Sequence, residues 1–479
     1  MAAVSQHLGS AAALAPIALV LALLALRVPS LVAGVAGLGC TVLAAVAVFR
    51  PTADQISTTF GQMGPTVLEV ALILLGGVML SVVMSRAGAQ KRIAGWLERV
   101  EPGPDRIVTI LLLVFGLTPF MESVTGFGLG VVITAPLLVR IGLGPVRAVV
   151  TGLLGLVLVP WGSLAPGTLV AAELGGQGFA ELGYRSALLT LPVLVVSMIA
   201  VLVVLGRRPA VRLAGLAAAV VLAQWVALVG ANLFVGAPPA GLIASLAVTV
   251  LLLGISRVRH GGLPVVDRAL MRAVVPYLVL LTGILGTSAA IGLAGSPPGL
   301  EWLAGPAVWI NIAALIAIST SGVPRPAVVP LVREALRTWA TVAGNAVVFM
   351  LIGVVMAATG MAGHLASLAT GAGDVFVALI PAMGALGGYL TGSNTGAAAM
   401  FSAATTGAAA SLGADPLTAL AGQNVAGSYA IIVSPPRVAL AVGVVMAGRS
   451  RLPGAATRAL ATAVVCATAL LGAAVAVSA

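Results

Sequence analysis

The chain has 479 residues, of which 60% are hydrophobic and 8% charged, with a mean hydropathy of +1.17. A soluble domain carries about a quarter charged residues and roughly half apolar ones, so this composition excludes a soluble enzyme, a disordered chain and a disulfide scaffold. The net charge of +11 does not point to nucleic acid. Nearly all basic residues stand between apolar segments as topology markers, and no basic patch is interleaved with aromatics.

Apolar stretches of about 18 residues or more recur along the chain, which predicts an all-α polytopic membrane protein. Ala11–Leu26 reads as a mature span and not a cleavable signal, because residues 1–9 carry no Lys or Arg. Placing the clusters Arg86–Arg106, Arg140–Arg147, Arg207–Arg212, Arg257–Arg272, Arg325–Arg337 and Arg449–Arg458 in the cytoplasm leaves the acidic connection at Glu173 and Glu181 outside. Short loops near Pro238, Pro298 and His364 also fall outside.

On this assignment residues 107–139 begin and end inside. The stretch is too short for two full spans of about 20 residues, so it predicts a re-entrant hairpin. Residues 375–411 predict a second hairpin entering from the opposite face. Three spans precede each hairpin, one Pro- and Gly-broken span follows it, and one span closes each half. Two further spans join the halves. The expected organisation is a first inverted repeat over 1–206, two connecting helices over 207–272, and a second inverted repeat over 273–479. That makes about 12 spans plus two hairpins, with both termini outside. Oppositely oriented copies with broken helices are the pointer to a secondary transporter whose site lies at mid-membrane. Non-helical backbone survives there only where protein or a water-filled cavity covers it, so the hairpin tips should face each other.

The first tip reads Thr118-Pro119-Phe120-Met121-Glu122-Ser123-Val124-Thr125-Gly126-Phe127-Gly128. Glu122 is an acidic residue at mid-hairpin depth and needs a proton, a partner or water. It reads either as a proton carrier or as a carboxylate capping a half-helix. The second tip, Thr391-Gly392-Ser393-Asn394-Thr395-Gly396, offers hydroxyls, an amide and the exposed N–H groups of a new half-helix, an anion site or simply an N-cap. The broken spans add Val159-Pro160-Trp161-Gly162-Ser163 in the first half, and Gln423-Asn424 and Ser434-Pro435-Pro436-Arg437 in the second. Arg437 reads as a carboxylate-binding guanidinium or as a snorkelling residue at a helix end. The GxGD-like run Gly371-Ala372-Gly373-Asp374 lacks a second aspartate in a span, no nucleotide, metal or nucleophile motif is present, and no cofactor is expected.

Phe120-Met121-Glu122-Ser123-Val124-Thr125-Gly126-Phe127-Gly128, then Val132-Ile133-Thr134-Ala135, resembles the first conserved hairpin of the lactate permease family. Thr391–Thr395 and the later Ser434-Pro435 resemble that family's second hairpin and its Ser-Pro break. The resemblance is clear over about residues 107–175 and 335–447. It implies proton-coupled import of L-lactate or related 2-hydroxy monocarboxylates such as glycolate. It also implies functional roles for Glu122, for Gly126-Phe127-Gly128 and for Ser393-Asn394-Thr395. Three positions depart from the family pattern. Asn394 replaces the usual Asp, Ile431 the usual Lys, and Arg437 a small polar residue.

The expected protein is therefore a proton symporter for a small organic monocarboxylate. Glu122 would couple the proton, the hydroxyls of Ser123, Thr125, Ser393 and Thr395 would hold the carboxylate, and Asn394, Gln423 and Asn424 would bind the substrate hydroxyl. Arg437 would supply attraction, and Gly126, Phe127, Gly128 and Ser434 would complete the substrate-binding site. The same architecture would equally serve a different organic anion such as a sulfonate, as an exporter or with sodium coupling. The Arg-over-Lys bias and the richness in Ala, Gly and Val point to a GC-rich bacterial genome, hence a bacterial cytoplasmic membrane.

Overall fold

The computed structural model describes residues 2–101, 106–126, 128–206, 213–295, 299–446, 449 and 451–478. Phe127, the cluster Arg207–Arg212 and the loop at Pro298 lie outside the described residues. Every regular element among those described is helical. Among the described residues ten helices are long and apolar enough to cross a membrane, and eleven if the bent pair Pro416–Val433 and Pro435–Gly443 forms one span.

The expected count of about 12 spans differs for physical reasons. Pro306–Thr320 has 15 residues, too short to cross alone, and the first broken span is two short helices, Pro145–Leu154 and Pro166–Leu174. Conversely, Ile107–Thr125 is 19 residues long and could cross by itself, although it is one arm of the first hairpin.

The order of elements in the second half follows that in the first. Ala2–Ala25, Ser30–Ala44 and Ala53–Arg86 lead to the first hairpin, whose return arm is Leu129–Arg140. Arg268–Leu293, Pro306–Thr320 and Arg325–Ala358 lead to the second, formed by Asp374–Thr391 and Asn394–Ser411. The third helix of each set has 34 residues, and the two pack against each other, where the Trp339 indole N–H donates to the Ala71 carbonyl at 2.9 Å. Ala214–Phe234 and Ala237–His260 join the halves, and Gly454–Val477 closes the described chain.

The first hairpin carries irregular backbone in a buried setting, and side chains complete it. Pro119 has no N–H to offer the carbonyl four residues back, at Phe115. The Gln224 amide, from a connecting helix, donates to that carbonyl at 3.0 Å. Leu112–Leu117 widens into a π-helix, where the Thr118 hydroxyl donates to the Leu113 carbonyl at 2.9 Å. Neighbouring helices thus satisfy the backbone groups that proline frees.

The arms of the second hairpin hold the second broken span by close backbone approach. A Cβ at Gly384 would lie 2.2 Å from the Gln423 carbonyl oxygen, and one at Gly388 would lie 1.9 Å from that of Gly427. Small residues four apart are the usual means of such approach where lipid offers no hydrophobic drive. Gly388→Val should cost about 1–3 kcal/mol by overpacking. Thermal unfolding in detergent should show a lowered midpoint for it. Gly39→Val, at a position with nothing within 4 Å of an added Cβ, should unfold near the parent.

Candidate functional site

Both tips and both helix breaks converge on one cavity of about 380 Å³. Each tip touches the break of its own half and that of the other half. In the first tip, Gly126 has φ +68° and ψ −161°, a region open only to glycine, and a Cβ there would lie 2.9 Å from Ser163 Cβ. At Gly128 an added Cβ would lie 2.4 Å from Arg437 Nη1. In the second tip, a Cβ at Gly392 would lie 2.6 Å from Pro436 Cγ, and Asn394 packs against Gly167 of the first half.

Glu122 lies on the first arm one turn before the tip, and its side chain is 2% exposed. Its carboxylate accepts the Gly128 backbone N–H at 2.9 and 3.1 Å and stands 3.4 Å from Arg437 Nη1. Arg437 begins the helix after the second break, where Pro435 sits at the first helical positions and the span bends by 43°. With 12% side-chain exposure it points inward to Glu122 and does not snorkel. The other ion pairs among the described residues, Arg86–Glu334, Arg140–Glu98 and Arg185–Asp415, each have an arginine more than 40% exposed. Surface pairs of that kind contribute about 0–1 kcal/mol, whereas removing one partner of a buried pair costs roughly 3–5.

Ser393 caps the helix Asn394–Ser411 by accepting the Gly396 N–H at 3.4 Å, so the cap reading of this cluster is realised. The N-terminus of that helix also borders the cavity, with Ser393, Asn394, Thr395 and Gly396 in its wall. An anion there would meet the positive end of the helix dipole.

Of the residues singled out in the sequence, Glu122, Gly126, Ser393, Asn394, Thr395 and Arg437 line the cavity. Others are occupied elsewhere. The Thr125 hydroxyl donates back to the Met121 carbonyl at 2.6 Å, and Ser123 faces Gly241 of a connecting helix. Gln423 donates to the Ser402 hydroxyl at 3.0 Å and accepts from Thr405. The Asn424 amide N–H₂ donates to the hydroxyls of Thr168 and Ser186, both at 3.1 Å, and its oxygen accepts from the Asn394 amide at 2.8 Å. Asn424 thus holds Asn394 from behind. Gly128 binds the Glu122 carboxylate through its backbone, and Ser434 is fully buried beside the second tip. Among the described residues Gln423 and Asn424 do not line the cavity, so the direct contacts with the substrate hydroxyl expected of them are not what this geometry offers.

Four polar lining residues, Ser30, Ser163, Asn345 and Thr391, were not among those expected contacts. Ser163 lies in the first break, and Asn345 in the middle of Arg325–Ala358. The detectable signal for Asn345 is a lone amide inside an apolar run, Ala343–Met350.

A bundle of membrane-crossing helices with irregular tips meeting at a buried, charged cavity defines a polytopic membrane transport protein. The family model described as L-lactate permease matches residues 10–255 and 268–452, and the chain belongs to that family, one of permeases and not of enzymes. An L-lactate permease of Streptococcus iniae is 27% identical over 346 residues, covering 65% of this chain and 72% of that relative. The L-lactate permease of Bacillus subtilis is 33% identical over 144 residues, covering 29% of this chain and 25% of the relative. The crystal structure of the YdaH transporter of Alcanivorax borkumensis superposes with a TM-score of 0.51 at 14% identity, covering 89% of each chain, a likeness of fold alone.

Replacing Asn424 with Leu should leave the Asn394 amide without its acceptor and cost about 1–3 kcal/mol. A double-mutant cycle with Asn394→Ala should show a coupling of about 1 kcal/mol or more. Additive losses in chemical unfolding would mean that Asn424 does not position Asn394.

Proposed function

We propose that the chain imports L-lactate and related small 2-hydroxy monocarboxylates such as glycolate by proton symport across a bacterial cytoplasmic membrane. The two curated relatives are named for L-lactate, and their sources are bacterial. The observation that carries the mechanism is the buried pair of Glu122 and Arg437 at 3.4 Å on the wall of one cavity.

Arg437 is the cation an incoming carboxylate would seek, and Glu122 already holds it. Two buried anions on one guanidinium repel each other at close range. A proton on Glu122 removes that conflict, releasing Arg437 to take the substrate through parallel N–H···O contacts. Substrate and proton then travel together as a neutral set, which lowers the desolvation cost of crossing. The N–H groups of the half-helix at Asn394 would share the carboxylate. After both leave on the other side, the pair re-forms and keeps the empty carrier neutral. Two opposed repeats moving against each other about the tips would supply alternating access.

The test is uptake of labelled L-lactate into liposomes holding the purified protein, with an inward proton gradient. Accumulation should build and a protonophore should collapse it. Glu122→Gln should reduce net accumulation to the equilibrium level while lactate–lactate exchange continues. Accumulation unchanged in Glu122→Gln would overturn the coupling role. Uptake of a sulfonate or another organic anion in place of lactate would overturn the substrate.

A further inference from the structure

We infer that Ser163 and Asn345 form the contact that selects for the 2-hydroxyl group of the carried monocarboxylate, an inference that rests on the substrate reading proposed above. Among the described residues several buried side-chain polar atoms have no hydrogen-bond partner, but on the cavity-lining residues there are three: Ser163 Oγ, Asn345 Oδ1 and Arg437 Nη1. These three match the functional groups of a 2-hydroxy acid. The guanidinium N–H suits the carboxylate, the amide oxygen can accept from a hydroxyl, and the serine hydroxyl can donate to the hydroxyl oxygen. An unsubstituted monocarboxylate satisfies the first and leaves the other two buried without partners. Such unmet groups are the strongest means a site has of rejecting an analogue that lacks a hydroxyl.

The backbone around Ser163 is built to hold it there. Ser163, Leu164 and Ala165 have φ of +50°, +62° and +74°, three successive non-glycine residues in the left-handed region, between Pro160 and Pro166. Left-handed backbone is disfavoured for residues with a Cβ and persists where surrounding structure enforces it, commonly at ligand clamps. Ser163 is 4% exposed and lies against Gly126 of the first tip. Neighbouring Gly162 packs on Glu122, where an added Cβ would stand 3.7 Å from Glu122 Cγ. The serine is therefore held beside the ion pair that receives the carboxylate. Asn345 lines the same cavity from the helix Arg325–Ala358, with Val342, Ala346 and Phe349. The two side chains expected from the sequence to bind this hydroxyl, Gln423 and Asn424, spend their hydrogen bonds on Ser402, Thr405, Thr168, Ser186 and Asn394.

The experiment is competition against labelled L-lactate uptake in proteoliposomes, using unlabelled L-lactate and propionate, which has the same carbon chain without the hydroxyl. In the parent, half-inhibition should need at least about tenfold more propionate than lactate. In Asn345→Leu and in Ser163→Gly the lactate value should rise while the propionate value holds, bringing the ratio toward about 1–2. Ser163→Gly removes the hydroxyl and relaxes a left-handed residue, so it tests the proposal even if Asn345→Leu does not fold. A parallel rise in both values, with the ratio unmoved, would assign a structural role and overturn the inference while leaving lactate transport intact. A parent that transports lactate without discriminating propionate would overturn it too. A parent that takes up no lactate would overturn this inference and the substrate reading together.

Discussion

The architecture turns on one electrostatic requirement: a carboxylate and a guanidinium buried inside a membrane protein must find each other. Glu122 belongs to the first hairpin and Arg437 to the second break, far apart in sequence, and they meet at 3.4 Å. Their separation from water explains much of what surrounds them. Gly126 bends the first arm so that the Gly128 N–H turns back onto the carboxylate. The second span bends by 43° at Ser434-Pro435, which swings the arginine inward. Glycines at both tips leave room for side chains of the breaks, Ser163 and Arg437 at the first and Pro436 at the second.

A second layer keeps the tips rigid. Asn424 and Gln423 are neighbours on one helix but point to different partners, as consecutive residues on a helix must. One binds across to Thr168 and Ser186 in the other half, and the other stays with Thr405 and Ser402 of the second hairpin's return arm. Buried, hydrogen-bonded amides fix geometry, and here Asn424 joins the first broken span to the second.

Much of this was legible in the sequence. The hairpins followed from a conflict between length and charge over 107–139 and 375–411, and the breaks from Pro160 and Ser434-Pro435. Glu122 and Arg437 stood out because ionisable residues are rare in such company. What stayed hidden depended on three-dimensional partners. A Gln-Asn pair in an apolar span reads as a binding motif until Thr405, Ser402, Thr168 and Ser186 are seen to use its hydrogen bonds. Ser163 was one hydroxyl among many, since no local pattern announces a run of left-handed residues without glycine. Asn345 sat in a long helix with ordinary periodicity. The span count drifted because helix length was inferred from hydropathy, while Pro306–Thr320 ends after 15 residues.

The Gln224 bond to the Phe115 carbonyl has a consequence for how the protein is made. The two residues are 109 positions apart, and the amide comes from a helix that emerges from the ribosome well after the hairpin has been synthesised. Pro119 offers that carbonyl no N–H, and until then the Gln224 amide is also missing. The first hairpin therefore gains this bond only once the connecting helix has been made, so its finished structure depends on sequence that follows it.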